Sequence, residues 1–186
     1  MSQPQNVPAS AGSAAGDSSK SNIVLIGMPA SGKSTLGVVL AKILGMQFED
    51  LDIRIQTQMG ATLQDIINER GTEGFIEVEN AVLREVECEH TVLSTGGSAI
   101  YSDEAMRHLA GIGTVVYLEV PYEEIAARVG NLDVRGVVMR GNAQTIRDLY
   151  DERLPLYEKY ADITVNTTGM PIGEAATKTA DILRSL

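Results

Sequence analysis

Gly27-Met28-Pro29-Ala30-Ser31-Gly32-Lys33-Ser34, followed by Thr35, has the form G-x-x-x-x-G-K-[ST], a loop that wraps phosphates. Before it stands Ile23-Val24-Leu25-Ile26, a short apolar run suited to a buried parallel strand. After it, Leu36, Val39, Leu40 and Ile43 recur at helical spacing until Gly45, a residue suited to ending a helix. Strand, glycine loop and helix are the context in which the pattern has a mechanism. A polyphosphate needs close backbone approach, several converging N–H groups and the positive end of a helix dipole. Glycines at 27 and 32 permit that backbone path. Lys33 offers a point charge to the outer phosphates, and the Ser34 hydroxyl offers a ligand to Mg²⁺. Nucleotide binding is the expectation.

The rest of the chain alternates short apolar runs with helical patterns. Further strands are expected at 91–94, 114–118 and 162–165, with a weaker one at 47–49. Helices are expected near 52–59, 62–69, 73–89, 102–110, 121–129, 143–153 and 171–185. This is the pattern of an α/β fold, a parallel sheet with helices on both faces. Its ligands bind beyond the carboxyl ends of the strands. With 186 residues the chain is expected to hold one domain from 23 to 186, after a disordered tail at 1–22 of mostly Ser, Ala, Gly, Gln and Pro. A net charge of −10 argues against nucleic-acid and membrane surfaces, and a single cysteine, Cys88, suits a reducing cytoplasm.

Chemistry is expected at the strand ends. Asp50 and Asp52, two apart in an extended segment, project to one side, where one holds the Mg²⁺ shell and the other takes a proton. Equally, they form a polar strand end that caps a helix starting near Ile53. Thr95-Gly96-Gly97-Ser98-Ala99 brings bare backbone to the crevice, or simply turns. Arg128, Arg135 and Arg140 among Gly130, Gly136 and Gly141 suggest a flap over phosphates, against the alternative of a solvated loop. Asn142 is a candidate cap for the next helix, which Pro155 should stop or bend. Arg153 reaches a carboxylate in two-pronged fashion, or pairs with Asp148, Asp151 or Glu152.

Taken together, these stretches resemble shikimate kinase. The resemblance runs from residue 23 to about 185, through 27–35, D-x-D at 50–52, Gly71-Thr72-Glu73-Gly74-Phe75 with Glu79, TGGSA at 95–99, Val115-Val116-Tyr117-Leu118, and Arg153-x-Pro155-Leu156-Tyr157. It implies a P-loop NTPase fold with a five-stranded parallel sheet, a substrate-binding region at about 52–90, a lid at about 130–142, and ATP-dependent phosphorylation of shikimate. By resemblance, Gly27, Ala30, Ser31, Gly32, Lys33, Ser34 and Thr35 cradle ATP, with Ser34 and Asp50 on Mg²⁺. Asp52 binds substrate hydroxyls and acts as base, Gly96 and Gly97 line the acceptor pocket, and Arg153 grips its carboxylate. Arg135 swings onto the phosphates, Arg128 contacts adenine, and Asn166 to Pro171 forms the adenine loop. The expected partners are ATP or ADP and one small acid; a monomer is expected.

Three positions depart from the family pattern. Ile76 stands where the family has the second arginine of the carboxylate clamp. Ser98 replaces the third glycine of a triplet, which adds a β-carbon that restricts the backbone. Gly136 and Val137 follow the lid arginine in place of Pro and Leu. A kinase with another hydroxylated acceptor, or a silent nucleotide-binding regulator, are therefore the competing functions. Retention of Lys33, Ser34, Asp50, Asp52 and Arg135 argues against the silent form.

Overall fold

The structure, a computed structural model, describes residues 20–129, 138 and 145–186. Five strands, β1 (Asn22–Ile26), β2 (Gln47–Asp50), β3 (Thr91–Ser94), β4 (Gly113–Glu119) and β5 (Ile163–Asn166), form one parallel sheet in the order β2-β3-β1-β4-β5. The helices are α1 (Lys33–Leu44), α2 (Leu51–Met59), α3 (Leu63–Arg84), α4 (Asp103–Ile112), α5 (Tyr122–Val129), α6 (Ile146–Tyr160) and α7 (Ile172–Arg184). A 3₁₀ turn, Ala99–Tyr101, precedes α4.

The strands are apolar on both faces because both faces are covered. Val24, Ile26, Leu93, Val115 and Tyr117 pack with α4, α5 and α6 residues such as Met106, Leu109, Ile125 and Tyr157. Ile23, Leu25, Val92, Val116 and Leu118 pack on the other side with Leu36, Leu40, Ala176 and Ala180 of α1 and α7. A third cluster, around Ile55, Ile66, Phe75, Val78 and Val82, joins α2 to α3 beside the sheet.

The elements expected from sequence form, with four differences. The sheet begins at Asn22, inside the segment expected as a tail. Asn22 is buried because its amide donates to the Cys88 and Ile112 carbonyls, while its oxygen accepts from Thr91 N–H. The two helices expected at 62–69 and 73–89 meet end to end as α3, broken at Gly71 (φ 71°, ψ 178°), and α3 ends at Arg84. The cap of α6 is Thr145, in a reciprocal pair with Asp148; Asn142 lies outside the described residues. Finally, α6 continues through Pro155 to Tyr160. Its buried stripe of Leu149, Arg153 and Tyr157 outweighs the one backbone hydrogen bond that proline forfeits.

Candidate active site

The loop after β1 is shaped by close approach. Gly27 has φ 147°, and a β-carbon there would lie 2.9 Å from the Leu118 carbonyl oxygen. Gly32, at φ 94°, is the N-cap of α1 and brings no side-chain cap, so the first amides of α1 are left for an external anion. Lys33 is buried, and its Nζ donates to the Gly27 and Met28 carbonyls, each at 2.9 Å. Burial pulls its ammonium down to about 8, against the pull of Asp52, which favours the charged form. Ser31 Oγ is buried with no partner among the described residues. The Ser34 and Ser94 hydroxyls share a hydrogen bond of 3.2 Å, which sets Ser34 against the end of β3.

At the end of β2 the structure corrects the expected extended Asp-x-Asp pair. Asp50 is the N-cap of α2 and accepts from the Asp52 amide at 3.0 Å, so Asp52 already lies in the first helical turn. The capping alternative therefore describes Asp50, while Asp52 reaches the cavity by way of the helix start. Burial pushes the Asp52 carboxyl up to about 6, the Asp50 charge adds to this, and Lys33 opposes it.

A cavity of about 310 Å³ joins these pieces. Ala30, Gly32, Lys33, Ser34 and Thr35 line one side; Asp52, Gly96, Gly97, Ser98 and Arg153 line the other. Gly96 and Gly97 are needed for close approach of side chains, more than for bare amides. A β-carbon on Gly96 would sit 2.6 Å from Glu79 Oε1 and 2.7 Å from Asp52 Oδ1. One on Gly97 would sit 2.7 Å from Arg153 Nη1. Ser98 has ordinary right-handed backbone angles (φ −93°, ψ −10°), so the third position of the triplet does not require glycine.

Arg153 is fully buried. It pairs with none of the acidic neighbours on its own helix that sequence reading offered. Nε donates to the Tyr101 hydroxyl at 3.1 Å and Nη2 to the Val138 carbonyl at 2.7 Å, while Nη1 has no partner among the described residues. Ile76 packs with the α2–α3 cluster and does not line the cavity. No arginine of α2 or α3 takes its place in the lining: Arg54 pairs with Glu49, and Arg84 with Glu104 at the surface. Among the described residues, the cations lining the cavity are Lys33 and Arg153.

Glu79, part of the family-like segment around Phe75, belongs to the site as well. It is buried behind Gly96, its Oε1 unpaired, and burial pushes its carboxyl up to about 7 while a Ser98 hydrogen bond opposes. The available signal was an acid on the apolar stripe Phe75, Val78, Val82. Tyr101 carried no such signal. Arg128 stands beside the phosphate loop: Nη1 donates to the Ala30 and Ser31 carbonyls, at 3.0 and 3.3 Å, and Nη2 to Glu124. The other Glu124 oxygen accepts from the Gly169 amide at 3.2 Å, which ties the loop after β5 to the same corner. Arg135, Arg140 and the expected lid lie outside the described residues, apart from Val138.

The donors expected for Mg²⁺ fit that ion. Ser34 and Asp50 supply hard oxygens, and among the described residues no group of three or more His, Cys, Asp or Glu forms a protein cage. Mg²⁺ commonly takes one or two carboxylates and completes its shell with water and substrate phosphates.

Comparison with known proteins agrees with this geometry. A family model described as shikimate kinase matches residues 29–184. Shikimate kinase of Thermobifida fusca is 40% identical over 161 residues, covering 86% of this chain and 92% of that one. Shikimate kinase of Histophilus somni is 37% identical over 170 residues, covering 90% and 97%. Among solved structures, shikimate kinase from Acinetobacter baumannii in complex with shikimate superposes with a TM-score of 0.82 at 35% identity, covering 90% of this chain and 95% of that one. With a phosphate loop, a paired acid and a buried arginine around one cavity, and with relatives of this closeness along nearly its whole length, the chain belongs to the shikimate kinase family, phosphotransferases that act on an alcohol group.

Proposed function

We propose that the chain transfers the γ-phosphoryl group of ATP to a hydroxyl of shikimate, with the triphosphate on the 27–35 loop and the acid between Asp52, Gly96, Gly97 and Arg153. The observation that carries this reading is the unpaired Arg153 Nη1, a buried cation facing the cavity that Lys33 and the phosphate loop line from the other side. A buried donor without a partner is costly, and a carboxylate supplies the missing acceptor.

The amides at the start of α1 hold the phosphates. Lys33 exchanges its two loop carbonyls for phosphate oxygens and neutralises charge that builds on the transferred group. Ser34 and Asp50 would hold Mg²⁺, which would supply positive charge against the phosphates. Asp52 orients the acceptor hydroxyl and takes its proton; a carboxyl poised at about 6 is ionised at neutral pH yet basic enough for that work. Arg128 borders the nucleotide end of the site, and Arg135 is proposed as a second cation on the phosphates.

The test is coupled detection of ADP release with shikimate and with other hydroxy acids. Shikimate-stimulated turnover is expected, and Asp52→Asn should lower kcat by roughly 10²–10⁴-fold while Mg·ATP still binds. ADP release indifferent to every acid would discard the acceptor assignment. Unchanged turnover in Asp52→Asn would discard Asp52 as base.

A further inference from the structure

We propose that Tyr101 is a positioning residue for the acceptor: it fixes the Arg153 guanidinium so that a single nitrogen, Nη1, meets the acceptor carboxylate. This rests on the reading of Arg153 given above. The arrangement is specific. Nε donates to the Tyr101 hydroxyl at 3.1 Å, and the guanidinium carbon lies 5.1 Å from the centre of the Tyr101 ring. Nη2 is held by the Val138 carbonyl at 2.7 Å. Two of the three nitrogens are thus committed to the protein, and Nη1 is left beside Gly97.

The need for such a device follows from Ile76. Two cations fix a carboxylate by triangulation, whichever way either side chain flexes. A lone arginine must be rigid to do the same, because its long side chain otherwise loses rotamer freedom on binding. Ile76 gives no second cation, and Arg54 and Arg84 are engaged elsewhere. Tyr101 supplies the rigidity in advance. It can do so because the 3₁₀ turn Ala99–Tyr101 follows directly on the Gly96–Gly97 strand end, so one short segment builds both the pocket wall and the brace.

The test is Tyr101→Phe, which keeps the ring and deletes only the hydroxyl, assayed with shikimate and with its methyl ester as inhibitor. The expected result is a rise of about tenfold in KM for shikimate, with kcat and KM for ATP within about twofold. The ester, lacking the charge that Nη1 reads, should inhibit the variant and the parent equally. Tyr101→Leu, which removes the hydroxyl and the ring together, provides the same readout should the first variant fail to fold; it should raise KM for shikimate by about tenfold or more. Unchanged KM for shikimate overturns the proposal, as does an equal loss for acid and ester. If instead the parent enzyme binds ester and acid alike, the carboxylate is not on Arg153, and the underlying reading falls whatever Tyr101→Phe does.

Discussion

A methyl group on Gly96 would meet Glu79 Oε1 at 2.6 Å and Asp52 Oδ1 at 2.7 Å, two atoms held by different helices. Both carboxyls would have to shift, and one of them, Asp52, is the acid proposed as base. Gly96→Ala is therefore expected to lower kcat/KM for the acceptor on the order of a hundredfold, since displacement by about 1 Å has that cost. The affinity for Mg·ATP, measured by calorimetry, should stay within about threefold, because the phosphate loop has its own support. Loss of both together would mean that Gly96 serves the fold. At this scale the sequence disclosed the groups whose roles depend on their immediate neighbours. Lys33 and Ser34 are legible because the glycine loop that aims them is contiguous with them. Glu79 and Tyr101 were not, because their meaning comes from Gly96 and Arg153, 17 and 52 positions away in the chain. Asp52 was legible as a residue but not in its geometry, because an amide-accepting Asp50 starts the helix earlier than two acids in a row suggest.

Helix breaks and helix ends decide how these side chains are delivered. Gly71 lets α3 turn so that its first part lines the cavity with Leu63 and its second part buries Phe75 and Glu79. Its φ of 71° with ψ of 178° is open to glycine and strained for other residues, although nothing lies within 4 Å of a β-carbon there. Gly71→Ala should thus cost about 1–3 kcal/mol in urea unfolding through backbone strain alone; a neutral result would show that the break relaxes. The glycine was visible in the sequence, whereas the continuation of α6 through Pro155 was not. Propensity reads the missing N–H, and tertiary burial of Leu149, Arg153 and Tyr157 overrides it. A similar delivery operates at α5, where Glu124 binds Arg128 with one oxygen and the Gly169 amide with the other. Glu124→Ala should release both, raising KM for ATP about three- to tenfold without changing KM for the acceptor. Steady-state kinetics with each substrate varied in turn checks this, and a rise in both constants would count against so local a role.

Over the whole molecule, the site gathers three ionisable groups whose burial the empty protein does not fully compensate. Glu79 is raised to about 7, Asp52 to about 6, and Lys33 is lowered to about 8, in each case chiefly by desolvation. For the two acids the folded state binds protons more tightly than the unfolded one. Their contribution to stability is therefore greatest at low pH and is lost as pH rises through the ordinary carboxylate range to about 6 and 7. For Lys33 the unfolded state binds the proton more tightly, so stability returns as pH rises from about 8 towards the ordinary lysine value. The combined contribution of these three groups is least favourable between about 7 and 8, where both acids and the ammonium are all charged. Glu79 is the group best suited to reveal this, because the Asp52 and Lys33 charges partly offset one another while Glu79 Oε1 has no partner. Glu79→Gln removes the ionisation and keeps the shape. Its Tm should match that of the parent below the ordinary carboxylate range, where Glu79 is neutral both folded and unfolded, and exceed it at pH 8. The gain should be about 2–4 °C for each kcal/mol of desolvation relieved. A scan of Tm against pH for the two proteins without nucleotide decides the matter. A constant offset across the range would mean that the substitution acts through packing, and that the buried Glu79 carboxyl carries no penalty for being charged.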